Sequence, residues 1–91
     1  MIVANGGKGK VVAVEWTDAC SGSGGWEKMT STRSIKPAEC TSVGVLLEDR
    51  PTHVTIIQSV HWAEQDCAEN ICIPRKMIKK IRHLGTVRQW K

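Results

Sequence analysis

A chain of 91 residues with no phenylalanine and no tyrosine has to build its core from aliphatic side chains. Here those are chiefly Val and Ile, whose β-branched side chains fit the pleated, half-buried face of a sheet better than a helix interior. All aromatic surface comes from Trp16, Trp26, Trp62 and Trp90. A chain of this length supplies one hydrophobic core, hence one domain, over residues 10–91 behind a flexible leader at residues 1–9. It also hides a smaller fraction of its surface than a large protein does, so a homo-oligomer is expected.

Residues 10–16, Lys-Val-Val-Ala-Val-Glu-Trp, alternate as a strand does. Val12, Val14 and Trp16 share one face, and Val11, Ala13 and Glu15 share the other. Residues 41–48 and 53–61 read as a β-hairpin around Asp49-Arg50-Pro51-Thr52, where Pro51 pre-sets φ and Asp49 can bond the backbone. Gly44 inside its strand suggests a bulge or a sharp bend of the kind small barrels need at their corners. Residues 62–69 read as a second, polar loop, and residues 70–74 as a short strand ended by Pro74. Beyond Pro74, Met77, Ile78, Ile81 and Leu84 lie at helical spacing, which fits an amphipathic helix. A 3₁₀ turn over residues 74–77 followed by a last strand, residues 78–84, fits equally.

Between the first two strands, residues 18–40 lose the apolar pattern and run through Ser21-Gly22-Ser23-Gly24-Gly25 to Lys36-Pro37. A connection this long inside a small domain is commonly functional when ordered, which makes it the candidate binding loop. Residues 26–33 have room for one or two helical turns, against the weak helix propensity of Thr30, Ser31 and Thr32.

The formal net charge of +4 favours anionic partners, and Arg75, Lys76, Lys79, Lys80, Arg82, Arg88 and Lys91 crowd the end of the chain. The same charges also serve as an ordinary solvated face. Residues 1–10 carry glycines and lysines where a signal peptide needs an apolar run, and no later run reaches membrane-spanning length. The expected setting is the cytoplasm, with no membrane partner. Cys20, Cys40, Cys67 and Cys72 are then expected as thiols, packed as small hydrophobes where they fall in or beside strands.

The order and spacing of three segments resemble a family of small proteins encoded by tailed bacteriophages and prophages. They are Trp16-Thr17-Asp18-Ala19-Cys20-Ser21 with Gly24-Gly25-Trp26, then Ser42-Val43-Gly44-Val45-Leu46-Leu47-Glu48, then Ile71-Cys72-Ile73-Pro74-Arg75-Lys76-Met77-Ile78 with Ile81 and Leu84. The match covers about residues 11–84. It implies a phage origin and no particular activity. The closing Ile-Pro-Arg-x-Met-Ile-x-x-Ile also looks like the end of Sm-like and SH3-like small barrels, in which a 3₁₀ turn precedes the last strand. That likeness decides residues 75–84 in favour of the strand. The expected fold is an all-β, small antiparallel Sm-like or SH3-like barrel of about five strands with a long loop after strand one. Such barrels associate edge to edge, which removes exposed edges and forms composite pockets between subunits.

The candidate ligand-binding residues are Trp16, Asp18, Ser21, Gly24, Gly25, Trp26, Arg75 and Lys76. Trp16 and Trp26 could wall a base, with backbone N–H groups of residues 22–25 offered to phosphate as a nest. Arg75 and Lys76, projecting after Pro74, could grip phosphates. The competing structural reading packs the two indoles on each other, uses Asp18 and Ser21 to cap the loop, and leaves Arg75-Lys76 as a solvated turn. The glycine stretch lacks the Lys-Ser/Thr of a phosphate-binding loop and the strand-turn-helix context of a dinucleotide site. Cysteines without a closely spaced pair argue against zinc, and Ser21, Cys20, Cys40, His53 and His61 form no nucleophile motif. No metal, cofactor or enzymatic activity is expected. The expected function is sequestration of a small anionic ligand such as a nucleotide immune signal, in phage counter-defence. The alternatives are nucleic-acid binding or regulation by the basic C-terminal segment, and inhibition of a host protein.

Overall fold

Alternation of β-branched residues with polar ones gives five strands, and the computed structural model describes residues 8–88. The strands are β1 (Lys8–Asp18), β2 (Ala38–Asp49), β3 (His53–His61), β4 (Asp66–Pro74) and β5 (Ile78–Arg88). A single helical turn, α1 (Met29–Thr32), lies in the long loop, and a 3₁₀ turn (Arg75–Met77) joins β4 to β5. All neighbours are antiparallel, in the order β4-β3-β2-β1-β5. The all-β expectation holds, with one difference from a finished barrel. The sheet is open, and β4 and β5 are its two edges.

The inner face carries the core. Val12, Val14, Val54, Ile56 and Ile73 are buried together, with Trp16, Leu46, Ile71, Ile78 and Ile81 packed around them. Ala13 and Ile57 are buried on the opposite face, where Val11, Val45 and Ile57 lie side by side across β1, β2 and β3. A Cβ on Gly9 would come within 3.1–3.4 Å of Val45, Val87 and the Trp62 indole. That second face is therefore also apolar.

Several boundaries are corrected: the expected loop 18–40 gives Asp18 to β1 and residues 38–40 to β2, and the last strand runs past residue 84 to Arg88. The expected leader ran to residue 9, but Lys8 and Gly9 belong to β1, opposite Arg88 and Val87; residues 1–7 lie outside the described residues. The expected polar loop at residues 62–69 is only the turn 62–65, with Gln65 at φ 57°, and β4 starts at Asp66. Residues 66–70 look like loop in sequence because this end of β4 is exposed on both faces and carries no alternation.

The helical spacing of Ile78, Ile81 and Leu84 has a structural origin. Trp16 pairs with Ile78 and Glu15 with Lys80, which leaves Lys79 bulged. One extra residue moves the inward positions from a spacing of two to three, so Ile78 and Ile81 both reach the core. A second bulge at Leu84 lies between His83 and Gly85, and Leu84 is exposed. A doubly bulged strand thus carries the period that a helix would have.

Gly44 is regular in its pairing with Val12; the bulge of β2 falls at Leu47 instead. What Gly44 permits is contact. A Cβ there would sit 2.6 Å from the backbone oxygen of Ile57. Just beyond this contact β2 and β3 separate. Their ladder runs over Val45–Asp49 against Val54–Ile57, after which β2 pairs only with β1, and β3 pairs only with β4. The radius of gyration, 16.8 Å, exceeds the roughly 12 Å of a compact domain of this length. Gly44→Ala is expected to destabilise by about 2 kcal/mol, because backbone must move to admit the methyl group. Gly25→Ala, where the added methyl group would meet only Ser23 Oγ at 4.0 Å, is expected to stay within about 0.5 kcal/mol, and urea unfolding of both variants is the check.

Candidate functional site

Trp16 and Trp26 are far apart in environment. Trp16 is half-buried against the core, and its Nε1 donates to Ser42 Oγ at 3.0 Å. Trp26 is fully exposed, at 106% of its reference surface. The two indoles therefore neither pack on each other nor form a shared wall, and both sequence readings of the pair are corrected. Asp18 ends β1 opposite Ala38, so it belongs to the base of the loop. Ser21, Gly24 and Gly25 are exposed in the loop, with Gly24 at φ 91°, a conformation that suits glycine.

The glycine turn already holds an anion, and it is the chain's own. Ser23 donates to Glu27 Oε1 from both its backbone N (3.2 Å) and its Oγ (3.0 Å). The Glu27 carboxylate also lies against Gly22, whose Cβ would meet Oε2 at 2.4 Å. Within the expected phosphate nest over residues 22–25, the N–H of Ser23 is thus taken by a side chain. Farther on, Ile35 N donates to Thr32 O and Ser34 N to Ser31 O, so α1 and its turn are held by local bonds alone. The whole stretch 19–37 is exposed, and carries Trp26, Met29 and Ile35 with Lys28, Arg33 and Lys36.

Arg75 and Lys76 divide. Arg75 Nη2 donates to the carbonyl of Arg50 at 2.7 Å and to the carboxylate of Asp49, while its Nε reaches the same carbonyl at 3.2 Å. Its backbone N donates to Thr52 O at 2.9 Å. Arg75 therefore fastens the 3₁₀ turn to the β2–β3 turn, and the expected free phosphate grip falls to Lys76, which is exposed.

Other charges are paired as well. Lys79 bonds Glu39, Arg50 bonds Glu48 at 2.8 Å, and Arg82 lies 3.1 Å from Glu15. The hydrogen bond from Lys79 holds the Glu39 carboxyl below its ordinary pKa, and that from Arg50 does the same to Glu48 while raising its own. Cys20, Cys67 and Cys72 are exposed rather than packed as small hydrophobes, and Cys40 is half-buried. Among the described residues no cluster of His, Cys, Asp and Glu could hold a metal ion, and no helix is long and apolar enough to cross a membrane.

A concave feature among the described residues is the gap where β2 leaves β3. It is a cleft of about 470 Å³, lined on one side by Thr41, Ser42 and Val43 and on the other by Gln58, Glu69, Asn70 and Ile71, with Ile56 at its floor. Val43, Ile56 and Ile71 give it apolar walls, and Thr41, Ser42, Gln58 and Asn70 give it donors and acceptors. Glu69 stands at its rim with φ 60°, a left-handed backbone that costs a non-glycine residue about 1 kcal/mol or more. The cleft contains no cation.

The sequence reading missed this site. Its signals were present: Gly44 marks a close backbone approach, and Gln58 ends an otherwise apolar run. Neither says that two strands part. Comparison with protein-family models, curated proteins and solved structures gave no match.

Arg75→Ala is expected to cost about 1–2 kcal/mol in urea unfolding, by freeing the 3₁₀ turn from the β2–β3 turn. Arg75→Lys is expected to recover less than half of this, because an ammonium lacks the fork that reaches a carbonyl and a carboxylate together.

Proposed function

We propose that the protein is a non-enzymatic binder that sequesters a small anionic ligand of nucleotide size, and that it does so as a homo-oligomer. The observation that carries this reading is the cleft. At about 470 Å³ it falls in the range of small-molecule sites, and it combines apolar walls with a few convergent hydrogen-bonding side chains. A heterocyclic base fits between Val43, Ile56 and Ile71, with Ser42, Gln58 and Asn70 reading its edge. The Trp26 loop supplies what the cleft lacks, an aromatic face for stacking and the cations Lys28, Arg33 and Lys36 for phosphate. The phage resemblance suggests the setting, a cytoplasmic counter-defence protein that removes a nucleotide signal from its host.

Nucleic-acid binding is the second reading. It is favoured by Lys76, Lys80 and His83, exposed on the 3₁₀ turn and β5. It is weakened by Lys79 and Arg82, which are held by Glu39 and Glu15 and interrupt a continuous basic strip. Salt dependence separates the two. A polyanion neutralised by several lysines loses orders of magnitude in affinity between 50 and 200 mM salt, whereas a mononucleotide loses far less.

The test is a thermal-shift panel of linear and cyclic nucleotides beside a single-stranded oligonucleotide. A cognate nucleotide at about 100 times its Kd is expected to raise Tm by about 10 °C. Trp26→Ala is expected to weaken binding by about 10-fold, the loss of one base-aromatic stack. A flat response to every nucleotide, together with tight and strongly salt-dependent oligonucleotide binding, overturns sequestration in favour of the second reading.

A further inference from the structure

The cleft and the loop are each incomplete, and they are incomplete in opposite ways. The cleft has shape and hydrogen-bonding groups but no cation and no aromatic ring. The loop has three cations and a tryptophan, and that tryptophan is fully exposed. None of the cleft's lining residues comes from the loop. The loop is nonetheless ordered, by α1, by the turn bonds at Ser34 and Ile35, and by the clasp of Ser23 on Glu27. It is an arm built to lie on something else.

Charge says what. Residues 19–37 carry Lys28, Arg33 and Lys36 against the single carboxylate of Glu27, and that carboxylate is engaged by Ser23. The β3–β4 hairpin that forms one wall of the cleft carries Glu64, Asp66 and Glu69 over residues 58–70, with no lysine or arginine. Basic arm and acidic hairpin are complementary, and both are exposed. Arm and cleft also carry exposed apolar surface, Trp26, Met29 and Ile35 on the arm and Val43 at the cleft, with Ile71 beside it in the lining.

We propose that the cleft is closed in trans: the arm of a second copy of this chain lies across it, in a reciprocal pair related by two-fold symmetry. Lys28 and Arg33 of one copy meet the acidic hairpin of the other, and Trp26 roofs the other's cleft. Arm and cleft together offer about the 20–30 residues per side that a standard interface uses. The exchange is isologous and therefore closes at two chains. It rests on the sequestration reading only for what fills the cleft. The site then comprises Ser42, Gln58 and Asn70 from one chain, and Trp26, Lys28 and Arg33 from the other.

Sedimentation velocity of two charge-reversed variants tests this. Variant one carries Lys28→Glu and Arg33→Glu on the arm; variant two carries Glu64→Lys and Asp66→Lys on the hairpin. All four positions are exposed, and far-UV circular dichroism checks that both variants fold. The wild type is expected to sediment at twice the 10.1 kDa chain mass, and each variant alone at the single-chain mass. An equimolar mixture is expected to return to the two-chain mass, because every arm then faces a hairpin of opposite charge.

A single-chain wild type, variants that keep the wild-type mass, or a mixture that remains single-chain each overturns the exchange. Persistence of the assembly in both variants would point to edge pairing through β4 and β5 instead. Closure by a chain's own arm would leave the wild type and both variants single-chain.

The fluorescent nucleotide N-methylanthraniloyl-ADP reads the ligand separately. It is expected to bind two per wild-type pair and one per mixed pair, since only one site of the mixed pair keeps both the original arm and the original hairpin. The masses behaving as expected with no nucleotide bound anywhere would leave the exchange standing and sink the nucleotide reading.

Discussion

The architecture turns on one contact, the bare Cα of Gly44 against the carbonyl of Ile57. Without a side chain at that point β2 and β3 come together closely enough to start the ladder that runs to Asp49. Past it they separate, β2 following β1 and β3 following β4. The inner core, Val12, Val14, Val54, Ile56 and Ile73, spans this point, with Val12 and Val14 opposite Gly44 and Ser42 on β2. The parted half becomes the cleft. A glycine required for packing and a gap available for binding are therefore consequences of the same local geometry.

Closing one corner of the sheet takes a second device. The chain must pass from the end of β4 to the side of β1 within three residues. Pro74 ends the strand, the 3₁₀ turn reverses the path, and Arg75 secures the corner by donating to Arg50 and Asp49. Ile78 then lands beside Trp16. The bulges at Lys79 and Leu84 let β5 twist along β1 while keeping Ile78 and Ile81 on the core side. The edges β4 and β5 stay open, so the chain retains surface that a second copy can use.

Strand composition, the β2–β3 hairpin and the corner at Pro74 were legible because each is a local rule: alternation, turn chemistry, and the missing N–H of proline. The start of β4 was not, since an arm exposed on both faces has no hydrophobic period to read. Nor was the inward set of β5, because two bulges gave it the spacing of a helix. The glycine-rich loop that the sequence singles out is exposed along residues 19–37, Trp26 included. The sequence left two readings open for Trp16 and Arg75, and the structure puts Trp16 against the core without Trp26 and ties Arg75 to the β2–β3 turn, while Glu27 takes the N–H of Ser23. These assignments depend on which segments meet in space, through pairs as distant in sequence as Trp16 with Ser42 and Arg75 with Asp49. The cleft is harder still, because its walls are defined by strands that do not pair.

The account stands or falls on that parting of strands. Scalar couplings across hydrogen bonds, measured by NMR on the isotope-labelled protein, report each backbone pair directly. Couplings are expected between Val45–Asp49 and Val54–Ile57, with none linking residues 41–43 to residues 58–61. A ladder continuing along the full length of β2 and β3 would contradict it, since a continuous sheet leaves no cleft for a ligand or for the arm of a second chain.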